Sequence, residues 1–373
     1  MRGGYLGRAV EILQANLPHP PVVTNLSVGS TSTITAIARL SDLPAGHRPD
    51  LILYEYALND AAHFSARPDG AELQRFVIRL LIDELAARFP DAVLAPVLLG
   101  SAEMFSAHVR NTAHDAQCAL WSEADIPHLD VRRRLAYIFV NSAPAWLYAD
   151  FSHYGTPHGS DIVGAMTGRF LVELSLGKRG VTLRECAARL AERHGPLAFG
   201  IDTLSAADLA AGATGNWEML ERRNALMAVP ALRLRQGAML ALPAQPFNIA
   251  LLADRRHDLV TLTRHGDDRP SAWSLATRLS AVDNPTMNPP DKDRFFYAGI
   301  PLSLVLAQGA PIPGDDASFS IAIPDETDER LPVIGYDRFI LRSRSIADRY
   351  LDVVGALFLR RKEVSPTAAQ TLD

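Results

Sequence analysis

Residues 50–60 read Asp-Leu-Ile-Leu-Tyr-Glu-Tyr-Ala-Leu-Asn-Asp. A near-continuous apolar run that ends in Asn-Asp has the look of a parallel β-strand, buried on both faces, entering a turn. The strand expected here is Asp50 to Tyr56. Two further runs share its texture, Pro21 to Val28 (PVVTNLSV) and Ala92 to Leu99 (AVLAPVLL). Between the second and third strands lies a helical pattern. Leu73, Phe76, Val77, Leu80, Leu81 and Leu85 recur at spacings of three and four and form one apolar stripe. Other helices are expected near 4–16, 31–42, 102–124 and 157–176. Strand–helix alternation of this kind implies an α/β layer fold with right-handed crossovers.

The texture changes after about residue 197. Short β-like runs appear at Ala238 to Leu242, Phe247 to Leu252, Leu259 to Thr263, Leu302 to Ala307, Phe319 to Ile323 and Arg338 to Leu341. Pro, Gly, Asn and Asp clusters separate them (DNPTMNPPDKD, GAPIPGDD). A last run, Tyr350 to Leu359, reads as a strand because Val353 and Val354 precede an internal Gly355. This pattern suits a β-sandwich or jelly roll. The organisation expected is therefore an α/β domain over 1–178, a helical connector over 179–196 carrying Leu183 to His194, and a β-rich sandwich-like accessory domain over 197–373.

The 373 residues carry a net charge of -5, with 21% charged and 48% hydrophobic side chains, an ordinary globular profile whose length favours two domains. The mildly acidic balance argues against nucleic-acid binding, which needs a basic face. No apolar run approaches the roughly 18 residues of a transmembrane helix. Two cysteines, Cys118 and Cys186, exclude a disulfide scaffold and fit no cysteine-rich zinc pattern. The opening Met-Arg-Gly-Gly-Tyr-Leu-Gly-Arg is not a secretory signal, so a cytoplasmic location is the provisional expectation.

Three motifs sit at strand ends of the first half. Asn25-Leu26-Ser27-Val28-Gly29-Ser30-Thr31-Ser32 is a strand-to-helix turn whose small residues let backbone N–H groups approach a ligand; it is equally a plain N-cap with a Gly turn. In Tyr54-Glu55-Tyr56-Ala57-Leu58-Asn59-Asp60, Asn59 aims an amide into the crevice where open α/β sheets bind ligands, or simply makes an Asx turn. In Asp150-Phe151-Ser152-His153, an Asp three residues before a His suits a general base with its orienting carboxylate. A metal reading of His153 with His158 lacks a third ligand at a recognisable spacing.

Taken together and in this order, the motifs over residues 1–178 resemble the SGNH (GDSL-like) hydrolase family. The resemblance implies a flavodoxin-like three-layer fold and serine-type acyl-ester hydrolysis without metal or organic cofactor. Gly29 and Asn59 would be oxyanion-hole donors, each supplying about 3 kcal/mol of barrier lowering, and Asp150 and His153 the triad's acid and base. The family's Gly-Asp-Ser nucleophile block occurs nowhere before Gly29, and the chain opens at what reads as the helix after it. The first strand and its serine are thus missing, and the expected explanation is a start codon upstream of Met1; a catalytically dead protein is the alternative. Ser30 reads as an N-cap, and Ser152 is expected to point away from the Asp150–His153 pair. Trp217, Trp273, Phe295, Phe296 and Tyr297 in the β-rich half would either stack on sugar rings or fill its core. The expected substrate is a small-molecule or polysaccharide ester, a saccharide O-acyl group before others. The rivals are an inactive carbohydrate-binding or assembly protein and a sugar O-acyltransferase. The sequence is silent on oligomeric state.

Overall fold

A computed structural model of the chain describes residues 4–26, 33, 36, 37, 40, 43, 46–64, 70–105, 111–140, 142–150, 152–177, 180–223, 228–235, 238–241, 247–253, 260–264, 271–273, 298–301, 319–323 and 350–362. By its internal contacts the chain divides into two units, residues 1–25 with 44–197, and 26–43 with 198–373.

The first unit is mixed α/β. Its parallel sheet holds β1 (Leu51–Tyr54), β2 (Val93–Leu98) and β3 (Leu129–Asp130) in that order. Register runs from Leu51 opposite Val93 to Tyr54 opposite Pro96, and Leu98 lies opposite Asp130. The helices are α1 (Tyr5–Asn16), α2 (Ala57–Phe64), α3 (Gly70–Arg88), α4 (Thr112–Glu123), α5 (Val131–Ile138), α6 (His158–Ser175) and α7 (Leu183–His194). Side chains alternate across the sheet. Ala95 packs with Leu13 of α1 and Leu171 and Leu174 of α6, so these helices cover one face. The Tyr54 ring meets Trp121 of α4 edge-on at 5.9 Å, which puts α4 on the other.

The helix expected in the connector falls in the first unit. A capping box of Thr182 and Glu185 starts α7, Leu183, Cys186 and Leu190 are buried, and Leu183 N–H donates to the Ala92 carbonyl at 2.8 Å. Two expected elements differ. Residues 21–26 form no strand: Val22 is 97% exposed, and an extended segment gains its hydrogen bonds only where a ladder partner lies alongside. The helix expected over 102–124 is a short turn at Glu103–Phe105 and then α4, whose start is set by the Asn111 side chain accepting from His114 N–H at 2.9 Å. The pair β3–α5 was not anticipated. A two-residue strand carries no periodicity, and α5 opens with three arginines after Val131.

Among the described residues the second unit is β-rich. One sheet holds Ala213–Thr214, Ala238–Ala241, Val260–Arg264, Ser271–Trp273 and Phe319–Ile323. The other is built around Tyr350–Arg361, which pairs antiparallel with Phe199–Ser205, Ala228–Arg235 and Phe247–Ala253. The strand over Tyr350 to Leu359 thus forms, with a register shift between Val353 and Gly355. The runs expected at Leu302 to Ala307 and Arg338 to Leu341 lie outside the described residues.

The contact of α1 with α6 depends on two glycines. A Cβ at Gly164 would stand 2.5 Å from the Tyr5 carbonyl oxygen and from Arg8 Cβ, and one at Gly168 would stand 2.8 Å from Ile12 Cβ. Backbone cannot yield there as a flexible side chain can. Gly164→Val is therefore expected to destabilise the protein by about 1–3 kcal/mol through overpacking. A thermal unfolding midpoint equal to that of the unsubstituted chain would contradict this packing.

Candidate active site

The Asp150–His153 pair lies at the tip of a hairpin. Tyr148 and Tyr154 face each other across an antiparallel bridge, Ala149 N–H donates to the His153 carbonyl at 2.7 Å, and Gly155 N–H donates to that of Leu147 at 2.8 Å. Gly155 has no room for a side chain, because a Cβ would overlap the Trp146 carbonyl. Two tyrosine hydroxyls tie this hairpin to the C-terminal end of β2. Tyr154 accepts from Gly100 N–H at 3.2 Å and donates to the Gly100 carbonyl at 3.0 Å; Tyr148 donates to the same carbonyl at 2.9 Å. The two rings stack, with centroids 4.8 Å apart. Burial, then the neighbouring Tyr148, holds the Tyr154 hydroxyl well above the ordinary phenol range, and burial pushes Tyr148 up to about 12, so both stay protonated donors at neutral pH.

Asp150 grips His153 at several points. Its Oδ1 accepts from the backbone N–H groups of Ser152 and His153, both at 2.8 Å. The imidazole Nδ1 lies 2.8 Å from Oδ1 and 2.9 Å from Oδ2. Partial burial raises the Asp150 pKa, but the Ser152 N–H, the His153 ring and the His153 N–H outweigh it, and the net position is below the usual carboxylate value. A depressed folded-state pKa stabilises the fold above the unfolded value near 3.9, and that contribution is lost as pH falls through the folded value. An ionised carboxylate only accepts, so Nδ1 is the donor, and in the neutral ring the lone pair then sits on Nε2. The side chain of His153 is 49% exposed, so the ring is open to solvent.

Ser152 does not point away from the pair, as the sequence suggested. Its Oγ lies 3.0 Å from His153 Nδ1 and 3.3 Å from Asp150 Oδ1, because the tight hairpin folds all three side chains together. It meets the nitrogen that already carries the proton, so His153 cannot deprotonate it from there. Asn59 is in the first turn of α2, not at a strand end, since β1 stops at Tyr54. It remains half-buried at the C-terminal edge of the sheet. Gly29 and Ser30 lie outside the described residues, as do Phe295, Phe296 and Tyr297; Trp217 is 36% exposed.

Glu55, just before α2, carries chemistry that the sequence reading passed over. Its Oε1 is sealed from solvent, and the Tyr5 hydroxyl stands 3.5 Å from Oε2. Burial first, and the charge of Asp60 second, push its pKa up to about 8, against the lowering effect of Tyr5 and of the Ala57 N–H. The Glu55 charge also adds, as the smallest of the effects, to the raised Tyr154 pKa. Asp60 is buried and accepts from Tyr54 at 3.3 Å and from Gln117 at 3.2 Å. A second polar group joins His114, Cys118 and Asp130, which is the last residue of β3. For Asp60 and His114 the signal was a polar residue at a position that the fold buries.

No family model and no curated protein matches the chain. Among solved structures it is similar to a catalytic mutant of Axe2, an acetylxylan esterase from Geobacillus stearothermophilus, at 17% identity and TM-score 0.36, over 46% of this chain and 80% of that one. A second variant of that enzyme gives 14% identity and TM-score 0.37, over 48% of this chain and 84% of that one. Among the described residues, no helix is long and apolar enough to cross a membrane.

Two outcomes test the site. Tyr154→Phe leaves the buried Gly100 N–H without that partner and is expected to cost about 1–3 kcal/mol, read as a lower urea midpoint with unchanged slope. An unchanged midpoint would remove the clamp from the account. Glu55 takes up its proton more readily in the folded state. Its stabilising contribution is full below the unfolded value near 4.3 and declines, by up to about 1.4 kcal/mol per pH unit, as pH rises toward the folded value. Glu55→Gln should flatten the loss of stability between about pH 5 and pH 8; parallel stability–pH curves for the two proteins would contradict the buried, protonated Glu55.

Proposed function

We propose that the first unit is an ester hydrolase of the SGNH type acting on an acyl ester, a saccharide O-acyl group first. The observation that carries this reading is the Asp150–His153 geometry, with Nδ1 on the carboxylate at 2.8 Å and a half-exposed ring at the C-terminal edge of a parallel sheet. Open α/β sheets bind ligands at that edge. In this reading His153 Nε2 takes the proton of the attacking hydroxyl as general base, and Asp150 fixes the tautomer and stabilises the imidazolium. Asn59 supplies an oxyanion donor from the first turn of α2; Gly29, the other donor of this reading, lies outside the described residues. The hydroxyl itself is assigned to no described residue, since Ser152 faces the wrong nitrogen. The β-rich second unit is read as a sandwich-like accessory domain that presents Trp217 to a sugar ring.

The test is acetyl release from an activated acetyl ester and from an acetylated xylo-oligosaccharide by the full chain. Turnover is expected to be slow and to depend on His153, falling about 10²-fold or more in His153→Ala, the contribution of a positioned general base. Ser152→Ala should leave it unchanged. A rate indifferent to His153→Ala, or one abolished by Ser152→Ala, would overturn the assignment.

A further inference from the structure

A polar cluster outside the proposed ester site has the dimensions of a metal centre. His114 and Cys118 lie one turn apart on α4, and Asp130 closes β3 and caps α5 through Arg133 N–H at 2.9 Å. Cys118 Sγ lies 3.6 Å from His114 Nδ1 and 3.5 Å from Asp130 Oδ2. All three ligand atoms fall within 4.8 Å of one another. Zinc holds sulfur at about 2.3 Å and nitrogen or oxygen at about 2.0–2.1 Å; at tetrahedral angles these bonds put neighbouring ligand atoms about 3.5–3.6 Å apart. The two measured edges match that figure. His114 is fully buried and its Nε2 is sealed without a hydrogen bond, so the polar contact of the ring with the cluster runs through Nδ1. Cys118 and Asp130 keep partial exposure, which gives an ion a way in.

We propose that His114, Cys118 and Asp130 bind one borderline-soft divalent transition-metal ion, zinc being the reference case, with water in the fourth position. One thiolate, one carboxylate and a neutral imidazole supply two negative charges, which balance a divalent ion. The Cys118 proton is released to solvent on binding. The neighbouring Arg132–Asp115 pair, at 3.1 Å, adds no net charge. A sulfur and nitrogen donor set disfavours magnesium and calcium, which prefer oxygen. The ion would tie α4 to the β3–α5 junction, a cross-link between two elements remote in sequence. This site is independent of the ester reading and is tested without substrate.

The experiment uses the full chain, stripped with a chelator and titrated with Co²⁺ alone. The expected result is one equivalent bound, with the strong visible bands of tetrahedral cobalt and a thiolate-to-cobalt charge-transfer band, both removed by added Zn²⁺. Cys118→Ser, with its fold verified by circular dichroism, should lose the charge-transfer band and weaken binding about tenfold or more. Asp130→Asn keeps the helix cap and should weaken binding while retaining the thiolate band. No stoichiometric binding, a weak octahedral spectrum, or a thiolate band that survives in Cys118→Ser would each overturn the proposal. The last outcome would move the sulfur ligand to Cys186; the first would leave the Cys118 contacts as ordinary thiol hydrogen bonds.

Discussion

Both backbone polar groups of Gly100 are spent on tyrosine hydroxyls of the hairpin that carries Asp150 and His153. Gly100 is buried two residues past Leu98, the end of β2, and a Cβ there would meet Arg132 Cβ at 2.7 Å. Three elements therefore converge on one residue without a side chain: the central strand, the first turn of α5 and the tyrosine hairpin. A loop held only by surface contacts would let the imidazole wander. Here the two rings stack and their hydroxyls meet one peptide unit. Their positions are thus set by the sheet, and His153 inherits that placement through Ala149 and Tyr154.

Environment then divides the carboxyl groups near this edge by role. Asp150 accepts several N–H donors and stays ionised, whereas Glu55 has a sealed oxygen beside Asp60 and stays protonated at neutral pH. At neutral pH the first unit thus holds one ionised and one neutral carboxyl, set apart by their surroundings. The His114–Cys118–Asp130 group lies one strand further along the same sheet edge and is linked to it through Leu98, opposite Asp130.

The parts of the fold that were legible are those with sustained periodicity. The stripe from Leu73 to Leu85 became α3, the run Ala92 to Leu99 became β2, and Leu183 to His194 formed between the bounds expected. Short elements were opaque: β3 has two residues, and α5 owes its start to the Asp130 cap more than to an apolar stripe. The run from Pro21 misled over its described residues, 21–26, because apolar composition says nothing of whether a ladder partner lies alongside. Asp150 and His153 were legible because residues three apart in a tight turn meet locally. Ser152 was misjudged because its rotamer depends on the hairpin, and the Tyr148–Tyr154–Gly100 clamp could not be read at all, since its partners are 48 and 54 residues apart.

General-base chemistry at His153 needs an unprotonated Nε2 while Nδ1–H is held by Asp150. Long-range nitrogen–proton NMR of the full chain with labelled histidine reads this tautomer directly. The neutral His153 ring is expected in the Nδ1–H form, with that preference lost in Asp150→Ala. A neutral His153 in the Nε2–H form, or a tautomer unaffected by Asp150→Ala, would contradict it.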